Sequence, residues 1–307
     1  MSNDNLMVSV AMLTYNHEKY ISQAIESVLS QKVNFQYEIV IAEDCSTDKT
    51  REIVKQFEQK NNRIIRVIYQ EKNLGAWENN KTLLSSLNGK YVAALEGDDY
   101  WIDPYKLQKQ VDFLEANPDY GLVFTDADHL HEETGKIIKS YDKTFRRNIP
   151  TGNVFENLLY GNPYRTCTAV FNREMVDKKS HLFSKHQFKV GDRLLWFLIA
   201  GESKVGYLKN STAVYRIQKV SASHQGEFKQ QLSFIKNGYK MSLYFSEFYS
   251  YQLNKKKLKY NFKKIIISTC IQKGYYKELL NYCGDPILIL SLFSKEKIFR
   301  KIFLGFK

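Results

Sequence analysis

From residue 7 onward, short apolar runs alternate with longer stretches of helical periodicity. Met7 to Thr14, Tyr37 to Glu43, Ile64 to Tyr69, Tyr91 to Leu95 and Gly121 to Thr125 read as strands. Helical patterns fall between them at about Tyr20 to Gln31, Lys49 to Gln59, Trp77 to Leu87 and Tyr105 to Glu115. The order βαβαβαβαβ, with near-continuous apolar strands, predicts an α/β fold: a mostly parallel central sheet flanked by helices. After Asp126 a polar stretch to about Pro150 predicts a loop or an irregular hairpin, and a second organised region follows from Asn153 to Ser223. Beyond Gln225 the pattern is helical, aromatic and lysine-rich. The expected division is therefore a catalytic domain over 1–224, with halves at about 7–126 and 127–224, and a helical extension over 225–307.

In open α/β sheets ligands gather at the carboxyl ends of the strands, and the polar residues here follow that rule. Strand one ends in Thr14-Tyr15-Asn16-His17, strand two in Glu43-Asp44-Cys45-Ser46-Thr47-Asp48, and strand four in Glu96-Gly97-Asp98-Asp99. Three polar clusters at equivalent strand ends predict one shared site. Neither a Gly-x-Gly-x-x-Gly nor a Gly-x-x-x-x-Gly-Lys-Ser/Thr motif is present, which argues against a nicotinamide site and against P-loop chemistry. Carboxylate takes the place of a glycine cradle. Adjacent acids fixed at a strand end repel each other, and hard oxygen donors of this kind suit a divalent cation, Mg²⁺ or Mn²⁺. Asp98 and Asp99 are the expected metal ligands.

Composition adds a second theme. The formal net charge is +12, and from Gln225 to the end there are sixteen Lys and Arg against five Asp and Glu, so most of the excess sits in the extension. Such a surface attracts anionic lipid or nucleic acid, or is simply a solvated helix face. No run approaches the roughly 20 apolar residues needed to span a bilayer. The first residues lack a signal-like core, so a cytoplasmic setting is expected. Cys45, Cys167, Cys270 and Cys283 show no Cys-x-x-Cys spacing and read as reduced thiols.

Four segments together resemble the inverting family 2 glycosyltransferases of the GT-A fold: Val8 to Asn16, Glu38 to Asp48, Asn73-Leu74-Gly75, and Leu95-Glu96-Gly97-Asp98-Asp99-Tyr100-Trp101. The resemblance spans roughly residues 7 to 224. It implies a nucleotide-sugar donor, a UDP-sugar by preference, and a saccharide or lipid-linked acceptor, with no nucleic acid partner. Asp44 matches the carboxylate that accepts a hydrogen bond from a uracil-type base, with Thr14, Tyr15 and Asn16 lining the nucleoside pocket. Asn73 and Gly75 match the loop over the nucleotide, where glycine permits close backbone approach, and Asn80 is a further donor-side match. Ser46 and Asp48 suit capping of the next helix better than binding. Glu96 stands where the family more often has aspartate, and it is not taken as a ligand.

Asp192, in Gly191-Asp192-Arg193-Leu194-Leu195-Trp196-Phe197, matches the family's general base, although its type also suits a helix N-cap. Arg216, Lys219 and His224 are available to the diphosphate, while Gln218 occupies a position where the family often has histidine. Asp126-Ala127-Asp128-His129-Leu130-His131 packs acids and imidazoles closely, but alternation on a strand lets at most two converge, so it reads as acceptor-side or structural. At the far end Ile298, Phe299, Ile302, Phe303 and Phe306 recur at helical steps among Lys297, Arg300, Lys301 and Lys307. That pattern fits a helix lying on an anionic membrane surface, peripheral at the inner face, or one packed on the domain. Two rivals to the transferase are a sugar-phosphate nucleotidyltransferase and a non-catalytic basic membrane- or nucleic-acid-binding protein.

Overall fold

The computed structural model of the chain describes residues 6–182, 188, 191–218, 228–273 and 275. They belong to two compact units, Met1–Leu158 with Asn162–Lys219, and Leu159–Gly161 with Val220–Lys307.

The first unit is built on a nine-stranded sheet. Strands β1 (Leu6–Thr14), β2 (Gln36–Glu43), β3 (Ile65–Tyr69) and β4 (Tyr91–Glu96) pair in the order β3-β2-β1-β4, all parallel. Val8, Val10 and Met12 of β1 and Ile39 to Ala42 of β2 are completely buried. That double-sided burial explains why these strands read as apolar runs rather than as alternation. Helices α1 (Ile21–Leu29), α2 (Thr50–Lys60), α3 (Ala76–Ser85) and α4 (Lys106–Ala116) cover the faces. Helix α1 shows the mechanism: Ile21, Ala24, Ile25 and Val28 recur at helical spacing, and all are buried.

Beyond β4 the sheet is mixed. The two-residue β5 (Tyr100–Trp101) precedes α4 in the chain, and β6 (Tyr120–His131) and β7 (Lys136–Ile138) follow it. Strand β6 runs six residues past the expected end at Thr125, so part of the anticipated loop is strand, and its pairing with β7 is the hairpin. Short helices α5 (Tyr141–Thr144), α6 (Phe155–Tyr160) and α7 (Glu174–Asp177) flank β8 (Val170–Asn172), which is inserted antiparallel between β4 and β6. Helix α8 (Gly191–Ala200) then leads into β9 (Lys204–Ile217), parallel to β6. Every residue of α8 from Arg193 to Ala200 is buried, the signature of a helix enclosed on all sides.

The second unit contains α9 (Phe228–Phe248) and α10 (Lys255–Lys273), with Met241, Phe245, Ile267 and Cys270 fully buried. The expected C-terminal helices are thus present. The Ile298 to Phe306 stripe lies outside the described residues. Among those described, no helix is long and apolar enough to cross a membrane.

One lysine departs from its usual place. Lys106 is fully buried, with its ammonium over the Trp101 ring (4.3 Å) and donating to Gln110 Oε1 (2.7 Å). Burial pushes its pKa down to about 7. The unfolded chain, with an ordinary lysine near ~10.4, therefore binds more protons between these values, and this group makes stability rise with pH across that window. In urea titrations from pH 7.5 to 9.5, Lys106→Met is expected to lose a positive slope of at most about 1.4 kcal/mol per pH unit relative to the unsubstituted chain. Parallel curves would show that the ammonium is not desolvated.

Candidate functional site

Sheet register brings the polar strand ends together. Thr14 lies opposite Glu43, and Leu13 lies opposite Glu96, so β1, β2 and β4 finish on one edge. Asn16 and Cys45, just past β1 and β2, both adopt positive φ (55° and 57°). Left-handed backbone in non-glycine residues is uncommon and collects at functional loops.

At the end of β4 and just beyond it, Glu96, Asp98 and Asp99 each offer a carboxylate oxygen, and these oxygens lie within 4.8 Å of one another. Asp99 is buried; its Oδ1 accepts the backbone N–H of Arg216 (2.8 Å), whereas its buried Oδ2 has no nitrogen or oxygen donor and at most the weak thiol of Cys167 beside it. The Cys167 thiol lies beside this carboxyl, and burial, then Asp99 and Glu96, push that thiol's pKa up. Asp98 Oδ2 accepts from the side chain of Gln218 (2.9 Å). Burial, with Asp98 and Glu96 adding repulsion, raises the Asp99 pKa well above the carboxylate range. Burial first, then Asp98 and Asp192, raises Glu96 to about 8. A buried carboxylate oxygen without a donor, crowded by like charge, fits a hard divalent cation. Glu96, not taken as a ligand from the sequence, converges with the two aspartates; its extra methylene was the only sequence signal and gave no direction.

The second strand end forms a frame for a loop. Asp44 is buried, and its two oxygens accept the backbone N–H groups of Leu74 (2.8 Å) and Gly75 (2.9 Å). Asn73 Oδ1 also accepts from Gly75 (3.1 Å). Gly75 starts α3 at φ 79°, ψ 158°, a region open almost only to glycine, and a Cβ there would meet nothing within 4 Å. Backbone conformation, rather than close approach, is therefore the reason for glycine at this position. Asn16 Oδ1 accepts from Thr47 N (2.8 Å), while Ser46 Oγ and Asp48 Oδ2 accept from the backbone of Asn16 and Glu18. Asp48 Oδ1 does take the N–H of Thr50 at the start of α2, but Ser46 ties the β1 loop rather than capping. Thr14 is buried against His17 (3.3 Å), and Tyr15 is exposed. His17, absent from the sequence-derived set, faces Asp98, whose charge partly opposes the lowering of its pKa by burial.

Asp192 sits in the first turn of α8, one residue inside the helix rather than at a described cap. Its Oδ2 accepts the Thr166 hydroxyl (3.0 Å) and its Oδ1 the N–H of Arg193 (2.7 Å). At Gly191 a Cβ would stand 3.1 Å from the Trp77 ring and 3.4 Å from the Asn80 amide nitrogen. The start of α8 thus packs against α3, and Asn80 meets the Asp192 segment.

Arg216 reaches the carboxylates through its backbone. Its guanidinium pairs with Glu132 (2.9 Å), stacks over Tyr20 and Tyr100 and contacts Gln23, with Nε buried and partnerless. Lys219 and His224 lie outside the described residues. The Asp126 to His131 group is engaged within the fold: Asp126 accepts from Asp142 N and Lys143 N, Asp128 from Ser140 N and Ser211 Oγ, and His129 stacks on Tyr141 at 3.7 Å.

A family model described as Glycosyl transferase family 2 matches residues 9–180. The Mycobacterium tuberculosis protein Rv1520 is 33% identical over 167 residues, 54% of this chain and 47% of its own length. TuaG of Bacillus subtilis, a putative teichuronic acid biosynthesis glycosyltransferase, is 41% identical over 114 residues, 37% and 44% of the two chains. The chain spans about half the length of the curated relatives it matches. Among solved structures, S. aureus TarS 1-349 in complex with UDP-GlcNAc superposes with TM-score 0.59 at 17% identity, covering 91% of this chain and 72% of that one. The mannosyltransferase PcManGT of Pyrobaculum calidifontis, in complex with GDP-Man and Mn²⁺, gives 0.58 at 14%, covering 97% and 81%. At these identities the likeness establishes the fold, that of GT-A glycosyltransferases.

Crowded charge makes a stability prediction. Asp99→Asn removes one of the three, so its unfolding midpoint in EDTA is expected to rise by a few degrees, with ~1 kcal/mol corresponding to about 2–4 °C at this size. Added Mn²⁺ is expected to stabilise the unsubstituted chain by mass action and to leave Asp99→Asn unmoved. A variant less stable in EDTA yet still responsive to Mn²⁺ would mean that the cluster does not bind the ion.

Proposed function

Because the chain belongs to glycosyl transferase family 2, we propose that it is an inverting transferase that moves a sugar from a UDP-sugar to a saccharide or lipid-linked acceptor. Family membership sets aside the nucleotidyltransferase and the non-catalytic binding protein. The observation that supports the mechanism is the partnerless, buried Asp99 Oδ2 among converged carboxylates, with Asp192 near enough to Glu96 to raise its pKa.

Asp98 and Asp99, with Glu96 beside them, would hold Mg²⁺ or Mn²⁺. Bound there, the ion supplies positive charge to the departing diphosphate. Asp44 braces the Asn73–Gly75 loop and retains carboxylate lone pairs for the imide N–H of a uracil, a charge-assisted bond. Thr14, Tyr15 and Asn16 form the neighbouring wall, and Asn80 and the Arg216 Nε are polar groups left to the donor. Asp192 is held at both oxygens by Thr166 and Arg193 N, which fixes its direction while leaving lone pairs to accept the acceptor hydroxyl's proton. Attack from the face opposite the diphosphate then inverts the anomeric centre in one displacement.

Donor complexes of the fold neighbours, UDP-GlcNAc for TarS and GDP-Man with Mn²⁺ for PcManGT, support a nucleotide-sugar and a divalent ion. The name of TuaG supports a role in surface polysaccharide assembly, which would proceed at the cytoplasmic membrane face.

Two measurements test the reading. In calorimetry with Mn²⁺, UDP is expected to bind more tightly than GDP, CDP or ADP. Asp192→Asn is expected to keep that binding while turnover of the donor falls roughly 10²–10⁴-fold. Equal affinity for all four diphosphates would discard the uridine assignment, and full turnover in Asp192→Asn would discard the base.

A further inference from the structure

Arg165 is set apart from the other half-buried arginines of the first unit. Arg51 pairs with Glu43, Arg147 with Asp142 and Arg216 with Glu132. Arg165 forms no ion pair among the described residues. Its Nε donates to His129 Nε2 (3.2 Å) and its Nη1 to the Pro163 carbonyl (2.9 Å), which leaves Nη2 without a partner among the described residues. Both acceptors are uncharged. Burial, then Arg165 itself, pushes the His129 pKa down to about 3, so the ring is neutral and offers a lone pair to Nε. No carboxylate among the described residues neutralises this half-buried guanidinium, and its Nη2, which is not a buried atom, is open to a ligand.

Its surroundings are aromatic. The guanidinium carbon lies 5.7 Å from the Tyr141 ring centre and 6.0 Å from that of Tyr215. These faces attract the cation, and with Nε and one Nη1 N–H engaged, Nη2 and the remaining Nη1 N–H form the end of the fork left for a carboxylate or phosphate. Position ties this group to the transfer site. Arg165 immediately precedes Thr166, whose hydroxyl holds Asp192, and Tyr215 stands close enough to Asp99 and Glu96 for their charge to raise its pKa after burial. Arg165 is thus one residue from the group that holds Asp192, and it shares Tyr215 with the carboxylates.

We propose that Arg165, framed by Tyr141 and Tyr215, binds an anionic group of the acceptor, so that the preferred acceptor carries a carboxylate or a phosphate near the hydroxyl that is glycosylated. The inference rests on the reading of Asp192 as the base that faces the acceptor. An acceptor anion supplies the missing countercharge, and the tyrosine faces supply apolar surface for a sugar ring. A neutral acceptor would leave the guanidinium without a countercharge.

The experiment measures binding of methyl β-glucuronide, glycerol 3-phosphate and methyl β-glucoside by saturation-transfer NMR, with UDP and diamagnetic Mg²⁺ present, to the unsubstituted chain, Arg165→Gln and Arg165→Lys. At least one anion is expected to bind ten or more times more tightly than the glucoside. The tighter of the two anions identifies carboxylate or phosphate as the acceptor group. Arg165→Gln is expected to remove the preference and Arg165→Lys to retain part of it, since a lysine keeps charge but loses the fork. Should Arg165→Gln fail to fold, judged by its melting curve, the Arg165→Lys loss alone decides. Equal binding of all three probes by the unsubstituted chain, or a preference untouched by both substitutions, would overturn the proposal. Failure of UDP to bind the unsubstituted chain would instead remove the donor reading, while the anion preference is read separately.

Discussion

Three carboxylates confined at the end of β4 impose the condition on which the site depends. Glu96, Asp98 and Asp99 present oxygens within 4.8 Å, and Asp99 is out of contact with water. Exposed acids would separate and let solvent screen them; here the backbone forbids it. Asp99 is pinned by the Arg216 N–H from β9, Asp98 by Gln218, and Glu96 by the β1–β4 register. Burial, with this repulsion added to it, raises the pKa of Glu96 and Asp99, and no nitrogen or oxygen donor reaches Asp99 Oδ2. A divalent ion bound there would relieve both at once.

Around that centre the chain separates tasks by strand end. The β1 and β2 loops are laced together through Asn16, Ser46 and Asp48, and Asp44 fixes the start of α3. These contacts make a wall that needs no ligand to assemble, which lowers the cost of binding a nucleotide. Helix α8 brings Asp192 to the same region from the other half of the unit, and Gly191 lets it lie against Trp77 and Asn80. The start of α3, which follows the Asp44-braced loop, and the Asp192 segment therefore share a packing contact. Arg165, without an ion pair among the described residues, lies next along the chain to Thr166, which donates to Asp192, so the proposed acceptor-anion contact and the proposed base would be linked through one residue.

The sequence exposed much of this because local burial leaves a periodic trace. Strands buried on both faces read as apolar runs, and α1 shows its stripe at every expected position. In a parallel sheet the loops after successive strands emerge on the same edge, so polar clusters after β1, β2 and β4 fall together without knowledge of any contact. Family motifs then attached roles to Asp44, Asp99 and Asp192, and the family itself is established by the match over 9–180.

What only the tertiary structure decided depends on pairings between residues far apart in the chain. Strand β6 extends to His131 because β9 pairs beside it, and β8 enters antiparallel next to β4; no local pattern encodes either partner. The same distance dependence governs side chains. Arg216 spends its guanidinium on Glu132 and gives the site its backbone N–H, Lys106 is buried over Trp101, and Glu96 turns toward Asp98 and Asp99. Periodicity along the chain records which face of an element is dry. It does not record which distant group shares that dry space, and it is that group which sets the direction and charge of a functional side chain.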